Sequence, residues 1–161
     1  MDEIIKSIES TKPATAYQKK RWDQVITHIK NPKSANLQFV FVAATGDLDK
    51  GVRDQSKLFP PADPSAPNGA TFAVCLQYPV ARGYVHIKSS DPTTPPDINP
   101  NYMGHPADVA VLAAGVKFAE KLVRSPALEG KMGKRLHPPT KFDLSTIQGR
   151  REATQEYCMG E

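Results

Sequence analysis

The chain has 161 residues, 39% hydrophobic and 7% aromatic, enough for one domain with a core of its own. No run of about 18 apolar residues occurs to span a membrane. The net charge of +4 is scattered over Lys19–Arg21, Lys134–Arg135 and Arg150–Arg151 with few aromatics between, a pattern of solvated basic faces rather than of a nucleic-acid surface.

In chain order, Ile4, Ile5 and Ile8 mark one face of a short helix over 2–10, an acidic start without a secretory-signal pattern. Trp22, Val25, Ile26 and Ile29 recur at the spacing of an amphipathic helix over 16–30, which Asn31-Pro32 ends. NLQFVFVA (36–43) reads as a strand apolar on both faces, hence inside a sheet. Residues 44–70 read as a long loop stiffened by PPADPSAPNG, with Thr45-Gly46-Asp47 as a turn. TFAVCLQY (71–78) is a second strand, with Phe72, Val74, Leu76 and Tyr78 on one face and Thr71, Ala73, Cys75 and Gln77 on the other. After the connection 79–82, the segment 83–89 is expected to return as the second arm of an antiparallel hairpin, Val85 and Ile87 inward.

Five prolines between residues 90 and 108 then form a stiff lead-in to a helix. Asp91-Pro92 turns the chain. Pro95, Pro96 and Pro100 hold it extended, and Gly104 permits a tight bend. Pro106 suits the first helical position, and Asp108 meets the positive end of the helix dipole. The helix 106–124 buries Val109, Leu112, Val116, Ala119 and Val123 and stops before Pro126. Residues 127–142 are a basic loop, and Ser145 with Gln148 gives a capping-box pattern for a last helix from about 146. Cys75 and Cys158 lack a C-x-x-C partner and carry no zinc pattern, and a disulfide and two free thiols both stay open.

PVARGYVHIKSSDP (79–92), PDINPNYMGHPAD (96–108) and LAAGVKFAEKLV (112–123) together resemble the C-terminal, substrate-binding domain of the glucose–methanol–choline (GMC) flavin oxidoreductases, in particular fungal alcohol-oxidising branches. The resemblance is carried by Pro79, Arg82, Gly83, Asp91, Pro92, Asn101, Tyr102, His105, Pro106 and Asp108, for which structural roles are expected. Gly83 is expected to take a positive φ after its turn, and Arg82 to bond nearby carbonyls or a carboxylate such as Asp91. The resemblance implies an α+β fold, an antiparallel sheet with helices packed on one face, as one incomplete domain over 1–161. It implies hydride transfer from a CH–OH donor to FAD, with a small-molecule alcohol as substrate. The fingerprint G-x-G-x-x-G occurs nowhere in these residues, and the family's catalytic His-x-x-Gly-Thr motif would begin just past EATQEYCMGE. The expectation is therefore an internal portion of such an enzyme, without catalytic, cofactor-binding or metal-binding residues. An FAD-binding domain would be its missing partner, and FAD would not bind this chain alone. By the same resemblance Ala73, Cys75 and Gln77 are candidates for the substrate-pocket wall. His28, His86, His105 and His137 are expected in structural or solvated roles, His105 at the helix entry. Two other readings stay open, a relative using the scaffold for cyclase or lyase chemistry and a non-catalytic binding module.

Overall fold

The computed structural model of the chain describes residues 1–51, 54–61 and 63–159. Helices α1 (Asp2–Ser10) and α2 (Ala16–Lys30) are followed by strand β1 (Leu37–Val42), a one-turn helix α3 (Leu48–Gly51) and a 3-10 turn (Gln55–Lys57). Then come β2 (Thr71–Leu76), two short strands β3 (Tyr84–His86) and β4 (Asp97–Asn99), the long α4 (Pro106–Val123) and α5 (Ile147–Met159). The α+β class expected from the sequence is what is seen.

The apolar stripes of α1 and α2 form the first core. Ile5, Ile8, Trp22, Val25 and Ile29 are buried together with Val80 and Ala107, which arrive from the connection after β2 and from the start of α4. Each large side chain so buried stabilises by about 1.5–3 kcal/mol at most. Thr15 opens α2 by accepting from Gln18 N–H at 3.0 Å.

β1 and β2 pair antiparallel across the intervening 28 positions, with Leu37, Phe39 and Phe41 opposite Leu76, Val74 and Phe72. Side chains alternate, so these six share a face, and α4 lies on it. The phenyl rings of Phe39 and Phe118 meet at 5.0 Å. Contact is close because Gly115 has no side chain there: a Cβ would lie 2.5 Å from Val74 Cγ1 and 2.9 Å from Leu37 Cδ1. A second, smaller core under the C-terminal half of α4 holds Phe142, Leu144 and Ala153, with Val116 against it. Two arginines tie it down. Arg135 joins Glu120 on α4 at 3.3 Å to the Phe142 carbonyl at 3.0 Å, and buried Arg150 donates to the carbonyls of Leu144 and Ser145.

The structure corrects several sequence expectations. β2 does not form a hairpin with 83–89. β3 pairs instead with β4, in the register Tyr84↔Asn99, Val85↔Ile98 and His86↔Asp97, as a separate two-stranded arm. Val85 and Ile87, expected inward, are 65% and 89% exposed. The reason is local: Pro79 has no N–H to give a ladder, and the next two amides are taken by Asp108. β1 is likewise not interior, since among the described residues β2 is its one neighbour. The loop 44–70 contains α3 and the 3-10 turn, and Asp47 caps α3 by accepting from Lys50 N–H at 3.1 Å. Tyr78 is not under α4. It leaves the strand to stack on His28 of α2 at 4.1 Å, so His28 is half-buried rather than solvated. The cap of α5 is Thr146, accepting from Gly149 N–H at 3.0 Å, while Ser145 turns back to Asp143. Among the described residues no helix is long and apolar enough to cross a membrane.

Replacing Gly115 by Ala is expected to lower stability by roughly 1–3 kcal/mol, the cost of overpacking, against up to ~1 kcal/mol gained from helix propensity. The urea midpoint reads the balance. An unchanged or raised midpoint would mean that α4 can back away from the sheet without loss.

Candidate functional site

Asp108 is the centre of the motif region. It is 2% exposed, in the first turn of α4, where the helix dipole favours a carboxylate. Its two oxygens accept from consecutive backbone amides, Val80 N–H at 2.7 Å and Ala81 N–H at 2.9 Å. The strap Pro79–Gly83 is thereby drawn over the helix N-terminus. The residue before the helix completes the joint. His105 is 4% exposed and caps α4, its Nδ1 accepting from Ala107 N–H at 3.1 Å. That bond fixes the neutral tautomer with its proton on Nε2. Nε2 has no hydrogen-bond partner among the described residues, and neither has the indole Nε1 of Trp22, whose ring meets His105 edge-on at 5.4 Å. Burial pushes the His105 pKa below its ordinary value of 6.5, with nearby Asp108 pulling weakly the other way.

The loop 99–105 folds back on the strap. Asn101 N–H bonds Asn99 Oδ1 at 2.9 Å, and Asn101 Nδ2 reaches the Arg82 carbonyl at 2.9 Å. A Cβ on Gly83 would lie 1.9 Å from the Asn99 carbonyl oxygen, so the glycine serves close approach and not the positive φ expected of it. Positive φ falls on Asn101 (49°) and Met103 (56°) instead, and Gly104 N–H closes the turn on the Asn101 carbonyl. Asn tolerates this region, whereas for Met it stores strain.

Arg82 donates through Nη1 to the carbonyls of Pro79 and Ala81. Asp91, the carboxylate weighed as its partner, sits at the far turn of the arm with Pro92 and accepts from Thr93 N–H and Oγ1. The structure thus gathers Pro79, Arg82, Gly83, Asn101, Tyr102, His105, Pro106 and Asp108 and leaves Asp91 and Pro92 apart.

A cleft of about 390 Å³ lies between the end of β2, the strap, the loop 99–103 and α4. Its β2 wall is Val74 and Leu76. Ala73 and Cys75 stand on the opposite, open face of β2, half-buried beside Val40 and Gln38 of β1, and Gln77, just past the strand, bonds Gln38 Oε1 at 3.1 Å. Cys75 is a free thiol, and the Cys158 side chain lies outside the described residues.

FAD does not fit these residues. A dinucleotide pyrophosphate needs a glycine-rich turn opening a helix. Here α4 opens on His105-Pro106 with a carboxylate already on its first turn, and α2 and α5 open on threonines. No step of flavin chemistry is assigned to them. No group of three or more His, Cys, Asp or Glu among the described residues is placed to hold a metal.

Sequence reasoning missed Val80 as half of the Asp108 joint, because an apolar residue in a turn carries no mark of what its amide does. It also missed Arg21, which reaches the Val80 carbonyl at 3.5 Å and which, after burial, is the second influence pushing the Arg82 pKa below its ordinary value. Sixty-one positions separate the two arginines, and no local pattern links them.

Comparison with known proteins points one way. The family model described as GMC oxidoreductase matches residues 79–159. Dehydrogenase mpl7 of Monascus purpureus is 35% identical over 146 residues, 89% of this chain and 23% of that protein. Alcohol dehydrogenase [acceptor] of Pseudomonas putida is 33% identical over 60 residues, 37% of this chain and 11% of that protein. Oxygen-dependent choline dehydrogenase of Pseudomonas aeruginosa is 36% identical over 58 residues, 36% of this chain and 10% of that protein. The chain therefore spans under a quarter of the length of these relatives.

The His105 geometry sets a pH dependence. Its folded-state pKa is depressed, so the unfolded chain binds the extra proton first. Its contribution to stability is complete above 6.5 and declines as pH falls from 6.5 through the lower folded value. Unfolding free energy measured between pH 7.5 and about 5 should drop more steeply for the wild type than for His105→Gln. Equal slopes would show that His105 titrates alike in both states.

Proposed function

The chain belongs to the GMC oxidoreductase family, and on that footing we propose that it forms part of the substrate-binding domain of an FAD-dependent enzyme oxidising a CH–OH donor. In this reading the flavin is held by another part of a longer polypeptide, and residues 1–161 supply one wall of the substrate chamber. The observation that carries it is the family match over 79–159, within which Asp108, His105 and the strap form one built joint. The asymmetry of the β1–β2 sheet adds support. One face is closed by α4, and the other presents Gln38, Val40, Ala73 and Cys75, smaller than the Phe and Leu side chains opposite and with one amide among them, with no helix on it among the described residues. A chamber wall that must admit a polar alcohol suits such a face. Ala73, Cys75 and Gln77 are proposed as its lining. The names of the relatives, an alcohol dehydrogenase and a choline dehydrogenase among them, favour a small alcohol as donor.

Two preparations test this. The 161-residue chain, mixed with FAD and passed through gel filtration, should emerge without flavin absorbance. The product of the whole reading frame should emerge yellow and bleach on addition of an alcohol. A flavin retained by the short chain, or a colourless full-length product, would contradict the proposal.

A further inference from the structure

We infer that the cleft beside Arg82 is a binding site for a small amphipathic carboxylate, a short alkyl or single-ring acid whose charge meets Arg82 and whose body enters between β2 and α4. This inference does not depend on the flavoenzyme reading, since the cleft lies on the α4 side of the sheet and the proposed chamber wall on the other.

Size and lining come first. About 390 Å³ falls within the range of small-ligand sites, roughly 300–1,000 Å³. The walls are Val74, Leu76, Leu112 and Met103, and the polar lining is Arg82, Asn101 and Asp108, a carboxylate that the ligand's charge must avoid by lying at the Arg82 end. Charge decides the rest. Arg82 spends Nη1 on two strap carbonyls. The carboxylate that attracts it, Asp108, has both oxygens committed to Val80 and Ala81. Arg21 lies near enough to repel it and itself reaches one carbonyl, at 3.5 Å. Among the described residues neither guanidinium has a carboxylate in ion-pair contact. An anion at the mouth would relieve that repulsion and accept from the planar fork. A hydrated inorganic anion would leave the apolar walls unfilled, and a neutral alcohol would leave the exposed Arg82 guanidinium to water. Met103 stands in this wall at φ 56°, in a loop that Asn101 pins to the Arg82 carbonyl, so the wall is fixed before a ligand arrives.

The test titrates the full 161-residue chain with sodium hexanoate, hexan-1-ol and sodium phosphate at constant ionic strength, reading NMR signals of Val74, Leu76, Leu112 and Met103. Hexanoate should shift these signals saturably, and the other two should bind about tenfold more weakly or less. Arg82→Gln should weaken hexanoate by about tenfold or more, as for loss of a charged hydrogen bond, and Arg21→Gln by a smaller factor. Hexan-1-ol binding as well as hexanoate would reduce the site to an apolar groove, and phosphate binding as well would reduce it to a charge patch. Either result overturns the inference, as does an Arg82→Gln chain that keeps its affinity. Should that variant not fold, an unchanged affinity in Arg21→Gln overturns it instead.

Discussion

The two bonds from the Asp108 carboxylate to the Val80 and Ala81 amides are what the rest of this structure depends on. A carboxylate removed from water is costly unless its oxygens find donors. Here both do, and the helix dipole adds a third favourable contribution. Hydrogen bonds to a charged group contribute about 1.5–3 kcal/mol each, so the pair rivals the burial of a large apolar side chain. Its consequence is topological. With those amides consumed, the chain after β2 cannot turn back along the strand. It crosses the start of α4, carries Val80 into the α1–α2 core, and sends the next segment out to pair with β4 instead.

From that crossing follow the two differently finished sides of the sheet. Gly115 lets α4 close on Val74 and Leu37, while the face of Ala73 and Cys75 stays uncovered by helix. The arm is open as well: Val85 and Ile98 stand opposite one another in the ladder, 65% and 63% exposed. Under the proposed function these open surfaces would be walls on which further parts of a longer oxidoreductase close. The cleft at Arg82 is a different kind of feature, walled within this chain by β2, the strap, the loop and α4.

Local signals read well from the sequence. The helices of 2–10, 16–30 and 106–123 follow their 3.6-residue apolar spacing, and Pro106 with Asp108 marks the start of α4. His105 as a helix-entry residue was legible from its place before Pro106, though not that its ring would be buried against Trp22. What failed was pairing. The partner of β2 is β1, beyond a long loop, and not the nearer 83–89, because a carboxylate 27 positions away had claimed the turn amides. Backbone hydrogen bonds carry no side-chain signature, so such a claim is invisible in the residue types of the turn. The cap of α5 moved by one residue for a related reason: Asp143 captured the Ser145 hydroxyl and left Thr146 to the helix. The candidate cleft was not legible either, since it is made where Arg82, Met103 and Leu112 meet across three separate stretches of chain.

Amide hydrogen exchange at Val80 and Ala81 tests the central claim most directly. If Asp108 holds both amides, they should exchange as slowly as the amides in the middle of α4, although they lie in a connection outside any strand, and Asp108→Asn should release at least one of them. Exchange of both in the unmodified chain at the rate of exposed loop amides such as those of Ser89 and Ser90 would contradict the account.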